Sequence, residues 1–129
     1  MNAQQALSAY QSVGTQTSVV DASPAQLITL LMEGAMDRLA SARGAMSRGE
    51  RARQGELIGK TISIVDNLRA CLDHGQGGEL AGNLENLYVY MTQRLVEANS
   101  ASDPEVLEEV RDLLATLHQG WIQLPGAAR

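Results

Sequence analysis

The chain of 129 residues contains no Phe, one Trp, three Tyr, three Pro and one Cys. Lacking aromatic bulk, its core has to be aliphatic and methionine-bearing, a composition that favours packed helices over sheets. Cys71 stands alone, so no internal disulfide can form, and its neighbours Ala70 and Leu72 read as those of a small buried hydrophobe in a reducing compartment. The first 23 residues lack Lys and Arg and hold no long apolar run. That predicts neither a cleavable signal peptide nor a membrane span, and makes the cytoplasm the default location. Basic charge is scarce as well: ten Lys/Arg face fifteen Asp/Glu, for a net charge of −5. This argues against a nucleic-acid or anionic-membrane partner held by a broad basic surface. Beyond residue 60 the imbalance sharpens to four Lys/Arg against ten Asp/Glu, so a basic partner segment would be met favourably there.

What the chain does hold is helical periodicity, over a length that suits one domain. From Gly77 to Asn99, Leu80, Leu84, Leu87, Met91, Leu95 and Ala98 recur in steps of three and four, the repeat of one helix face, with Tyr88 and Tyr90 on its two edges. Asn99 reads as its C-terminal stop. Earlier, Ser23 and Gln26 form a capping pair round Pro24, opening a helix whose stripe is Ile28, Leu31, Ala35, Leu39, Ala42 and Met46. Residues 47–55 have no apolar anchor and read as a connection. A second helix follows with two stripes, one of Ile58, Ile62, Val65, Leu68 and Leu72, the other of Leu57, Ile64 and Cys71. The pattern leaves open which of the two is buried. Residues 74–78 read as a turn. Asp103 and Pro104 start the last helix, with Val106, Val110, Leu113, Leu114, Leu117 and Trp121 in one narrow stripe. Ahead of all this, Leu7, Tyr10 and Val13 suit a short, weakly held helix. The expectation is an all-α protein: an antiparallel up-and-down four-helix bundle over 23–124, with a short, mobile helical segment at 1–22.

A bundle can carry chemistry, but its signatures are missing. There is no Glu-x-x-His pair for a di-iron site, no Cys-x-x-Cys-His for haem and no Gly-x-Ser-x-Gly nucleophile turn. Gly75-Gln76-Gly77-Gly78 follows a helix rather than a strand and lacks the Lys-Ser/Thr ending of a phosphate loop. His118, near Trp121, leaves a phosphotransfer module as the alternative, although no orienting partner or Lys-Gly neighbourhood accompanies it. No catalysis, metal or cofactor is expected.

Apolar surface is left over instead. Val89 and Val96 lie opposite the main stripe of the third helix, and Leu27, Leu30 and Gly34 share a second face of the first. Three helices with a second stripe point to a groove that binds a helix. The structural alternative is a homodimer pairing these stripes with itself.

The residues also carry a resemblance. Gly77-Gly78-Glu79, Ala81, Asn83-Leu84, Leu87-Tyr88, Tyr90-Met91, Arg94-Leu95 and Ala98-Asn99 are similar to the signature of the flagellar secretion chaperones of the FliS family. Ala9-Tyr10-Gln11, Ala22-Ser23-Pro24, Gln26-Leu27-Ile28, Gly34-Ala35, Asp103, Glu108-Glu109-Val110 and Trp121 extend the likeness, in order, across most of the chain. Similar proteins usually carry an acidic residue where this chain has Val89.

The resemblance implies a cytoplasmic export chaperone that binds the disordered C-terminal segment of flagellin one to one and blocks its polymerisation. It also implies recognition by the cytoplasmic domain of the export-gate protein FlhA, and an N-terminal segment that covers part of the bundle and moves aside for cargo. The residues assigned to flagellin are Leu7, Tyr10, Val13, Leu57, Ile64, Cys71, Tyr88, Val89, Tyr90 and Val96, on a monomer or weak homodimer. An ordering cargo segment loses conformational entropy, which a long apolar surface has to offset.

Overall fold

The computed structural model describes residue 6, residues 8–10, 23–124 and 126–127. Four helices follow one another: α1 (Pro24–Ser47), α2 (Arg51–Ala70), α3 (His74–Ala101) and α4 (Pro104–Trp121), with no strand among the described residues. α1 packs on α2 and α4, and α3 packs on the same two, so successive helices are neighbours in a closed ring. The expected all-α antiparallel bundle is what forms. Its two ends differ. One holds the α1–α2 and α3–α4 connections; the other gathers the start of α1, the α2–α3 connection, the end of α4 and the N-terminal residues.

The two predicted N-caps are in place. The Ser23 side chain accepts from the Gln26 amide while the Gln26 side chain accepts from Ser23 N, and Asp103 accepts from the Glu105 amide ahead of which Pro104 needs no donor. Three boundaries correct the sequence reading. Residues 47–55 are not a loop: the connection is only residues 48–50, with Gly49 at φ 71°, and α2 is already helical at Arg51. The reason is Gln54. It is 2% exposed, and its Nε2 donates to the Asn99 side-chain oxygen (2.9 Å) and main-chain carbonyl (3.3 Å). A buried polar residue thus anchors a turn that carries no apolar one. Asn99, with its side chain engaged there, does not stop α3, which runs to Ala101 and ends on Ser102 in the left-handed conformation at φ 49°. Residues 74–77 are one helical turn rather than a loop, capped by the Asp73 side chain, and the break in direction comes at Gly78 (φ 54°, ψ −126°).

Burial also redraws the stripes: in α1 Met32 and Ala45 are buried while Leu31 and Met46 are only partly so, and in α4 Leu107 is buried while Leu113 and Leu117 are partly so. In α2 the buried residues are Gln54, Leu57, Ile58, Thr61, Val65 and Leu68, followed just beyond its end by Cys71 and Leu72. The two stripes read from the sequence are the edges of one wide face, whose centre, Thr61, polarity had concealed; its hydroxyl donates to the Leu57 carbonyl. In α3, Tyr88 does not flank the buried stripe. It is 0% exposed and stands in the middle, between Leu84 and Met91, while Leu80 and Leu87 are only half-buried.

Candidate functional site

Antiparallel register places the apolar side chains left outside this core. Along the α2/α3 groove, a Cβ on Gly55 would lie 3.9 Å from Asn99 Nδ2, and nearer the other end Arg69 pairs with Glu85 at 3.6 Å. The midpoints of these two spans are Ile62 and Thr92. Val89 is one turn beyond Glu85, and Val96 two turns further, on the same face. Ile62, Val89 and Val96 therefore form one patch on the α2/α3 flank. Ile62 and Val89 are half-buried, and Val96 is 54% exposed. Periodicity put Ile62 on one of two apolar stripes without saying which is buried. Only pairing it with α3 reveals it as part of the patch.

The opposite flank of α2 faces α1. The Ile64 Cδ1 lies 3.7 Å from where a Gly34 Cβ would stand, and Leu30, one turn before Gly34, is 38% exposed. Leu57 and Cys71, one heptad either side of Ile64, are buried along this flank, at 4% and 5% exposure. Tyr90 turns the other way, to α4, where its hydroxyl donates to Glu109 Oε2 (2.5 Å); Arg94 Nε donates to Glu109 Oε1 (2.8 Å). Those two donors hold the Glu109 carboxyl below its usual range. The ten residues assigned from the sequence do not share one face. Leu57, Ile64 and Cys71 lie along α1/α2, Val89 and Val96 along α2/α3, Tyr90 on α3/α4 and Tyr88 inside. Leu7 and Val13 lie outside the described residues.

Tyr88 meets Tyr10 at the end of the bundle. Their hydroxyls hydrogen-bond to one another, and the Tyr10 ring stands edge-on to Trp121 with centroids 5.2 Å apart. Trp121 Nε1 donates to the Ala25 carbonyl at 3.0 Å. Ala6 and Ala9 are fully buried, and the Asp73 amide donates to the Ala9 carbonyl at 2.7 Å. Ala6, Ala9 and Tyr10 so plug the space between the α2–α3 connection, α3 and the end of α4. Sequence reasoning placed Tyr10 in a covering segment but missed Trp121, Asp73 and Gly77 as its seat. Only the double glycine at 77–78 hinted that something approaches closely.

Burial pushes the Tyr10 phenol well above its ordinary value, and nearby Tyr88 adds to this; burial pushes Tyr88 up to about 12, against an ordinary 10.0. The consequence has a definite sign. The unfolded chain loses these protons first as pH rises, so their contribution is complete below pH about 10 and is lost as pH climbs toward about 12. The unfolding free energy from urea titrations is expected to hold steady from neutral to pH ~9 and then fall, by about 2–3 kcal/mol at the alkaline limit. The Tyr10→Phe/Tyr88→Phe chain should show a shallower fall.

His118 Nε2 lies 2.9 Å from Glu33 Oε2, bridging α4 to α1, with its side chain only 18% exposed. Among the described residues no group of three His, Cys, Asp or Glu is placed to hold a metal ion, and no helix is long and apolar enough to cross a membrane.

The chain is similar to known proteins over nearly its whole length. The family model described as flagellar protein FliS matches residues 6–128. The flagellar secretion chaperone FliSB of Pseudomonas aeruginosa is 51% identical over 121 residues, covering 94% of this chain and 96% of that one. Flagellar secretion chaperone FliS of Salmonella typhimurium is 42% identical over 119 residues, 92% of this chain and 88% of the relative. The Bacillus subtilis protein of the same name is 30% identical over 123 residues, 95% and 88% of the two chains.

Proposed function

The chain belongs to the FliS family of flagellar secretion chaperones, and from that premise we propose that it binds the C-terminal segment of flagellin in the cytoplasm, one to one, keeps it from polymerising and presents it to FlhA at the export gate. It is a flagellar export chaperone and not an enzyme, since the family is one of chaperones. Glu33 is an orienting partner for His118 that the sequence did not disclose, but membership of a chaperone family argues against a phosphotransfer module, and the pair is read as a bridge between α1 and α4.

The observation that carries the binding reading is the apolar surface on both flanks of α2: Ile62, Val89 and Val96 towards α3, and Leu30 and Ile64 towards α1. A cargo segment long enough to form more than one helix would lay an apolar face along each flank. The buried Tyr88 and Cys71 join this site on the condition that Tyr10 moves aside, as the family resemblance implies.

The test is calorimetric titration with a peptide of about forty residues from the C-terminus of the flagellin of the same organism, because coupled folding on an apolar surface gives a strongly negative heat-capacity change. A 1:1 isotherm of that kind is expected. An absence of heat at several temperatures would overturn the reading and leave the fold unaffected.

A further inference from the structure

We infer that Gly77 is the residue that sets how firmly the N-terminal plug is held, and hence how strongly it competes with cargo. The second half of the inference rests on the function proposed above; the first half does not.

The argument is steric. A Cβ built on Gly77 would lie 2.7 Å from the Ala9 Cα, 2.9 Å from the Ala81 Cβ and 3.2 Å from the Ala9 Cβ. The first of these is backbone, which cannot rotate out of the way. Ala9 also accepts the Asp73 amide hydrogen bond at 2.7 Å, so moving its backbone lengthens or breaks that bond. Ala81 cannot yield either, being fully buried on the helix that follows. Small residues on both sides therefore allow two backbones to meet, and a single methyl at 77 is enough to part them. Tyr10 is the very next residue after Ala9. Lifting Ala9 draws the Tyr10 ring from Trp121 and its hydroxyl from Tyr88, and so uncovers Cys71. That thiol lies close enough to both phenols to act on them electrostatically and is 5% exposed while the plug is seated.

The full-length Gly77→Ala chain is compared with Gly82→Ala, whose new Cβ meets nothing within 4 Å. Both changes favour helix locally, so a loosening confined to Gly77→Ala cannot come from helix propensity. We expect protection of the Asp73 amide from hydrogen exchange to fall, and labelling of the Cys71 thiol to accelerate, each by at least about tenfold in Gly77→Ala alone. Helix content should be unchanged. Wild-type protection and labelling in Gly77→Ala would overturn the inference.

A second comparison guards against general damage to α3. With Tyr10→Ala already in place the plug has lost its anchor, so adding Gly77→Ala should change Cys71 labelling by less than about twofold. A full additional effect would mean that Gly77 acts on the bundle itself, and would also overturn it. Titration with the flagellin peptide then separates the two halves. Tighter binding by Gly77→Ala supports both, whereas a released plug with unchanged affinity sustains the steric role of Gly77 and refutes competition with cargo.

Discussion

Trp121→Ala is expected to lower the free energy of unfolding by about 3–5 kcal/mol, a large part of the ~5–15 kcal/mol that holds a domain of this kind. The ring is 1% exposed and is one of the largest fully buried side chains, so its removal leaves a large cavity. Two groups lose a partner together. The Ala25 carbonyl loses its indole N–H, at the turn where Ser23 caps α1. Tyr10 loses the ring against which it stands edge-on. Urea unfolding followed by far-ultraviolet circular dichroism measures the loss, since the fluorophore is gone. Trp121→Phe should recover more than half of it, restoring most of the volume but not the N–H donor. Equal losses for Ala and Phe would mean that the hydrogen bond to Ala25, and not packing, is what matters.

The second large effect is on binding. Val89→Asp with Val96→Asp is expected to weaken the flagellin peptide by about tenfold or more, chiefly through Val96, since a buried valine contributes roughly 1.5 kcal/mol or more and similar proteins usually carry an acidic residue at position 89. The fold should tolerate the pair. Val96 is more than half exposed, and Val89 is only half-buried on the outer side of α3. Charge needs a control in a chain this acidic, and Val89→Asn with Val96→Asn supplies it: loss of apolar contact predicts that Asn weakens binding nearly as much as Asp. Unchanged affinity in both double variants, with thermal unfolding near the wild-type value, would remove the α2/α3 flank from the site.

Particular residues show where sequence reading succeeded and where it stopped. Ser23, Pro24, Asp103 and Pro104 act within a few residues of themselves, so the starts of α1 and α4 were legible from local chemistry. Gln54 and Asn99 are far apart in the chain, and their hydrogen bond moved one helix start and one helix end. Ile62 illustrates the same limit in the site. Spacing places it on an apolar stripe, but whether that stripe faces the core or the groove depends on how α2 turns relative to α3.

Tyr88 marks the boundary most clearly. At the edge of a stripe it reads as a surface aromatic; with Tyr10 seated over it, it is the middle of the core. Helix number and order, two of the caps and the likeness to flagellar chaperones were legible in the sequence by itself, because helical period and capping are short-range physics written in neighbouring residues. The expected aliphatic core was not what formed, since Trp121, Tyr88 and Tyr10 are buried in it. Only the tertiary structure decided which edge of α2 meets which neighbour, that the leftover hydrophobes divide between two flanks, and that Gly77 is small because Ala9 lies against it. Those outcomes depend on the packing of surfaces distant in sequence, where a few ångströms between two backbones settle what a residue does.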